Sequence, residues 1–168
     1  MANWCHNYTT ITHTGLETSA LAITTLQNEL NKEPRGYYMI VERPDENTLV
    51  LEWASKWTPD SEWLEFLIEA RGFEVRNVCI ELGNHFWDVR EGDMYGGDDA
   101  GGEPDWRVDR HGLTYGEWDE LPDEDPRKKV DWELNSEETK IRFKKDDPDG
   151  FAALTEAEIN WIVVQEGF

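Results

Sequence analysis

The chain of 168 residues is 38% hydrophobic and 12% aromatic, with nine Trp. That composition excludes a disordered polymer and fits one domain, or one small domain with a structured extension. A net charge of −21, from 37 acidic and 16 basic residues, excludes direct binding to nucleic acid or an anionic membrane and favours basic surfaces or cations. Acidity that serves solubility alone, or a salt-rich host cytoplasm, accounts for the same charge. No apolar run approaches the roughly eighteen residues of a membrane span. Residues Met1 to Thr10 lack the basic start and apolar centre of a signal peptide, so a cytoplasmic location is expected. Two cysteines, Cys5 and Cys79, provide neither a disulfide scaffold nor a four-thiolate cluster.

Taken in chain order, the first half reads strand, helix, strand, strand, helix, strand. Asn7 to His13 is Thr-rich with Tyr8 and Ile11 and predicts a strand. Thr18 caps a predicted helix to about Asn31, with Ile23, Leu26 and Leu30 on one face and Pro34 and Gly36 ending it. Tyr37 to Glu42 and the alternating Leu49, Leu51 and Trp53 predict a hairpin around Pro44-Asp45-Glu46-Asn47. Thr58 followed by Pro59 predicts the next helix start, and Gly72 its end. Phe73 to Glu81 predicts a strand that His85 to Arg90 prolongs after Gly83-Asn84. This βαββαβ order predicts an α+β fold of the ferredoxin-like kind, an antiparallel sheet with two helices on one face.

Charge divides the chain near Gly92: residues 1–91 hold 15 acids and 7 bases, residues 92–168 hold 22 and 9. The expected organisation is therefore a ferredoxin-like domain over 1–91 and an acidic, β-rich extension over 92–168 packed on it. In the extension, Trp106 to Val108 with Leu113 to Trp118 predicts one hairpin, and Val130 to Leu134 with Lys140 to Lys144 another. Asp147-Pro148-Asp149-Gly150 predicts a turn, and Thr155 with Glu158 a capping box for a last helix bearing Ile159, Ile162 and Val163.

The opening Met1-Ala2-Asn3-Trp4-Cys5-His6-Asn7 resembles the start of a family of small plasmid and phage proteins typified by YubB, with Ala2 in place of a proline. Trp53-Ala54-Ser55-Lys56-Trp57-Thr58-Pro59 is similar to that family's strand-to-helix junction, and Glu81, Gly83 and Phe86 to its pattern near the last strand. The resemblance covers about Met1 to Gly92. It implies a ferredoxin-like fold and a mobile-element origin, and it implies no reaction.

Motifs for chemistry are weak. A nucleophilic Cys5 needs a base such as His6, but neighbours in a strand point to opposite faces, so Trp4 and Cys5 read as core anchors. His6, His13, His85, His111 and the cysteines lack the short paired spacing of a zinc site. Asp147, Asp149 and Glu158 match calcium-loop positions, yet Ala152 stands where that loop requires Gly. Gly96-Gly97 and Gly101-Gly102 lack the Lys-Ser/Thr of a phosphate loop. Hence no enzymatic turnover and no cofactor are expected.

The remaining feature is an acidic run, Asp93, Asp98, Asp99, Glu103 and Asp105, then Glu117, Asp119, Glu120, Asp123, Glu124 and Asp125, interleaved with aromatics that include Trp106 and Trp118. Aromatics hold such a segment to a folded surface and serve as binding anchors. Rows of carboxylates imitate phosphates spaced about 3.4 Å per strand. The expected partner is a basic host protein, a nuclease or CRISPR effector, inhibited by nucleic-acid mimicry. A structural or virion-assembly protein with incidental acidity is the alternative.

Overall fold

The computed structural model of the chain describes residues 3–14 and 18–166. Alternation builds its sheet. Along β1 (Trp4–Thr12) every second side chain is buried: Cys5, Asn7, Thr9 and Ile11. That period of two is a strand with one covered face. β3 (Thr48–Lys56) and β4 (Glu74–Glu81) flank β1, both antiparallel, with Ile11 opposite Leu49 and Val75. β2 (Met39–Asp45), β5 (Phe86–Glu91) and β6 (Ala100–Gly102) complete an antiparallel sheet in the order β2-β3-β1-β4-β5-β6.

Two helices cover that face. Ile23, Leu26 and Leu30 of α1 (Ser19–Lys32) and Trp63, Leu64 and Leu67 of α2 (Ser61–Glu69) join Ile11, Leu49, Leu51, Trp53 and Val75 in one apolar cluster. Burying each such side chain contributes about 1.5–3 kcal/mol. Gly36, at φ +72°, lets the α1–β2 connection lie against β3, since a Cβ there would sit 2.0 Å from the Ala54 carbonyl oxygen.

Three local expectations for this half need correction. Thr18 stands at the start of α1, but its side chain makes no cap hydrogen bond. Asp60, not Thr58, caps α2: its carboxylate accepts the Trp63 N–H at 3.1 Å, where negative charge also meets the helix dipole. Residues after Gly83-Asn84 do not prolong β4. The buried Glu81 carboxylate accepts the N–H groups of Gly83 and Asn84, the chain reverses, and β5 returns antiparallel to β4.

Replacing Asp60 with Ala is expected to destabilise the protein by about 1 kcal/mol for the lost cap. Its half-exposed ion pair with Arg35, at 3.0 Å, contributes at most about 1 kcal/mol more. Urea unfolding monitored by circular dichroism checks this, and an Asp60→Asn variant should keep most of the loss from appearing, because Asn caps nearly as well.

The chain forms two compact units, the first ending at Gly102 and the second beginning at Glu103. Residues 92–102, which charge groups with the acidic half, therefore lie in the first unit. In the second unit the expected β-rich hairpins are replaced by helices: α3 (Tyr115–Asp119), α4 (Ser136–Asp146), α5 (Pro148–Ala153) and α6 (Glu156–Ile162). Pairing among its described residues reduces to one bridge, Asp109 with Leu134. Caps explain the change. Thr114 and Glu117 form a capping box on α3, and Asn135 accepts the Glu138 N–H to start α4. The Asp147-Pro148-Asp149-Gly150 turn is the first turn of α5, with Asp147 as cap and Pro148 at the first helical position. The capping box of Thr155 and Glu158 is present, and Ile159, Trp161, Ile162 and Val163 are buried. No helix among the described residues is long and apolar enough to cross a membrane.

Candidate functional site

The acidic run is split between the units. Asp93, Asp98 and Asp99 lie in the β5–β6 connection of the first. Asp93 folds that connection by accepting the N–H groups of Tyr95 and Gly96 at 2.9 and 2.8 Å. Asp98 accepts from Arg90 Nε at 3.0 Å, while Asp99 is exposed and its N–H bonds the Val89 carbonyl. Two of these three carboxylates are thus engaged within the fold.

Glu103, Asp105, Trp106 and the residues from Glu117 to Asp125 belong to the second unit. Trp106 is only 2% exposed and stacks on Phe143 at 4.1 Å, so it is a core residue rather than a binding anchor. Trp118 is half-buried. It stacks on Tyr115 at 5.8 Å, and its Nε1 donates to the Arg127 carbonyl at 3.3 Å. Tyr115 in turn meets Trp132 edge-on, and the Arg107 guanidinium lies 5.4 Å above Trp132. Burial lowers Arg107 to about 10, so it stays a cation at neutral pH.

These contacts hold the turn that carries the acids. Glu117 accepts the Thr114 N–H at 2.8 Å, and the hydrogen bonds from Thr114 keep it below the usual carboxylate range. Asp125 makes two bonds to the Arg127 side chain, at 3.0 and 2.8 Å, which together with its backbone bond hold it at about 2. Lys128 donates to the carbonyls of Asp119 and Leu121 and lies 3.6 Å from Asp123, whose side chain is 94% exposed. Asp119, Glu120 and Glu124 have exposed carboxylates with no basic partner among the described residues. Glu117 to Asp125 therefore presents its carboxylates from a turn pinned by these bonds. Its carboxylates without a basic partner among the described residues are Asp119, Glu120 and Glu124, while the exposed Asp123 pairs with Lys128.

Sequence reasoning missed a second feature, a polar layer inside the first unit. Asn77 Oδ1 accepts the Thr9 hydroxyl at 2.5 Å, and Asn77 Nδ2 donates to Asn7 Oδ1 at 3.1 Å. Asn7 Nδ2 donates to the Cys5 carbonyl and to Ser55 Oγ, both at 2.9 Å, and Trp53 Nε1 donates to Thr9 Oγ1 at 2.8 Å. Beside it, Cys79 donates its thiol hydrogen to Asp88 at 2.9 Å, and Arg90 lies 3.3 Å from the other Asp88 oxygen. Burial, with Cys5 and Asp88 nearby, pushes the Cys79 thiol well up, so it stays protonated and is no nucleophile. His6 lies on the other face of β1, with Nδ1 3.2 Å from the Tyr38 hydroxyl, so it does not serve Cys5 as a base. The signal was there in the inward-facing series Cys5, Asn7 and Thr9, once β1 is known to start at Trp4. Comparison of the chain with protein-family models, with characterised proteins and with solved structures finds no match, so its own geometry carries the functional argument.

Proposed function

We propose that this chain is a mobile-element protein, encoded by a phage or plasmid and similar to the YubB-like family, that acts in the cytoplasm by binding and inhibiting a nucleic-acid-binding host defence protein. It presents carboxylates where that partner expects phosphates, and it neither turns over a substrate nor requires a cofactor. The βαββαβ run of the first unit, with strand order β2-β3-β1-β4 and both helices on one face, supports the ferredoxin-like part of this reading. The observation that carries the functional part is the turn from Glu117 to Asp125. Its free carboxylates are fixed by a capping box, a stacked Tyr115–Trp118 pair and Lys128 rather than spread along a loose tail.

A basic groove on a nuclease or CRISPR effector is the complementary surface, because like charge excludes nucleic acid itself. Replacing Asp119, Glu120, Asp123, Glu124 and Asp125 with Asn or Gln should weaken binding to such a partner by about tenfold to a hundredfold, while the fold survives: the first four are solvated acids that contribute little to stability, and Asp125→Asn keeps an acceptor for the Arg127 N–H. DNA or RNA should compete for the partner, and affinity should fall steeply with salt as the partner's bound anions are displaced. Equilibrium binding of the co-purified partner across a salt series checks all three. A complex that ignores the five substitutions and stays intact at about 1 M salt, where the screening length is about 3 Å, would end the mimicry reading. If that complex contains capsid or tail proteins, the chain is an assembly component instead.

A further inference from the structure

We propose that the groove between α1 and α2 is a docking site for a short amphipathic helix of a partner protein, one that carries Leu-type side chains beside Lys or Arg. The groove has a volume of about 580 Å³, within the range of ligand and peptide sites. Its floor is the outer edge of the core, from Leu26 and Leu30 of α1 to Trp63 and Leu67 of α2. On its rim stands Phe66, half exposed at 50%, with no ring contact among the described residues. A trough between two helices with an unused aromatic at its lip matches helix-in-groove recognition, in which apolar anchors recur every three or four residues.

Charge selects the occupant. At one end the Arg35 guanidinium lies 4.9 Å above the Trp63 ring and 3.0 Å from Asp60. At the other, Arg71 pairs with Glu29 at 2.9 Å and lies over Phe73. The carboxylate and ring at each end are therefore already taken by the chain's own arginine, and a guest Lys or Arg must find other carboxylates. Two further lining carboxylates, Glu33 and Glu62, have no basic partner among the described residues. The lining thus holds four acids against two arginines and leaves an excess of two negative charges. A second copy of this chain is a poor occupant, because each copy carries −21. The same repulsion disfavours an acidic helix. The groove belongs to the first unit and uses none of the acids between Glu117 and Asp125, so it stands apart from nucleic-acid mimicry.

The test uses the intact chain and three labelled peptides about 18 residues long, or five helical turns. One is an amphipathic helix of Leu and Lys. The second has the same composition, scrambled to destroy amphipathicity, and the third has Glu in place of Lys. Fluorescence anisotropy should show the amphipathic Leu/Lys peptide binding at least about tenfold more tightly than its scrambled isomer. Phe66→Ser, and separately Glu33→Lys with Glu62→Lys, should each remove most of that difference. Neutralising Asp119, Glu120 and Glu124 should leave the preference for the amphipathic isomer intact. The two Lys substitutions fall on exposed positions and decide the matter should the Phe66 variant melt early. Equal binding of the two Leu/Lys isomers overturns the proposal, as does unchanged binding in both groove variants or equally tight binding of the Glu peptide. Loss of the preference only when the second unit's acids are neutralised overturns it too. Failure of the mimicry reading alone leaves the isomer preference standing.

Discussion

Replacing Trp106 with Ala is expected to destabilise the protein by about 3–5 kcal/mol, a large share of the 5–15 kcal/mol that holds a typical domain together. Trp106 is 2% exposed, and its ring lies nearly parallel to Phe143, 17° apart at 4.1 Å. Phe143 meets Phe151 edge-on at 5.5 Å, so the stack ties the segment before α3 to α4 and α5. Alanine would leave a cavity between helices too short to be stable alone. Trp106→Phe keeps an aromatic face against Phe143 and should lose well under half as much. Trp118→Ala is the contrasting case. Trp118 is half-buried and stacked on Tyr115, so its loss should loosen the acidic turn locally and lower global stability far less than Trp106→Ala does. Urea unfolding of the three variants separates these roles. A Trp106→Ala variant within about 0.5 kcal/mol of the parent, the range of an ordinary surface change, would remove the ring from the core.

The second unit shows why short alternating runs mislead. Ile141 and Phe143 look like one side of a strand, yet both lie in α4, where Phe143 is fully buried and Ile141 is 61% exposed. The inward series is Thr139 and Phe143, four residues apart, which is the helix period. Charge already marked that helix: Glu137 and Glu138 stand in its first turn and Lys144 and Lys145 in its last, matching the macrodipole. Thr114-x-x-Glu117 is the same capping signal as Thr155-x-x-Glu158. Only the second predicts a helix start from sequence, because Tyr115 and Trp118 have strand-like propensity and α3 is five residues long.

In the first unit the element order was legible, since Ile23, Leu26 and Leu30, then Leu49, Leu51 and Trp53, carry clean helix and strand periods. The strand predicted over Asn7 to His13 starts three residues late and ends one late: β1, whose inward positions include the polar Asn7 and Thr9, is carried back to Trp4 by pairing of Trp4 with Lys56 and of Cys5 with Ser55 and Glu81, which only the folded sheet shows. For the acidic run, the density of carboxylates is visible in the sequence, but their availability is not. Asp98 is taken up by Arg90 and Asp125 by Arg127, while Glu117 closes a helix. Those assignments need the turn geometry that brings the partners together.

The same Asn7 and Thr9 lead to the second large effect. Asn77→Leu, nearly isosteric, is expected to destabilise the protein by about 2–6 kcal/mol, since it orphans two buried groups at about 1–3 kcal/mol each. Asn77 is 2% exposed and serves both neighbours at once. Without it the Thr9 hydroxyl loses its acceptor and Asn7 Oδ1 loses its donor. Neither group can turn to water, because both residues are fully buried between β3 and β4. A Thr9→Val change made together with Asn77→Leu should cost less than the sum of the two alone, since one orphan disappears; Trp53 Nε1, which donates to Thr9, limits that rescue. The acidity dependence separates this layer from its neighbour. None of Asn7, Thr9 or Asn77 titrates, so the Asn77→Leu loss should be the same at about pH 5 and about pH 8. Asp88 behaves differently: burial outweighs the Cys79 and Arg90 contacts and raises its carboxyl above 3.8. The folded state then binds that proton more readily than the unfolded state. Its contribution is full at low pH and is lost as pH rises through the raised value, a slope that Asp88→Asn should flatten. Paired denaturation curves for Asn77→Leu at the two pH values decide the point. A loss below about 1 kcal/mol would mean that the orphaned groups find water or other partners, and the layer would not be the closed network drawn here.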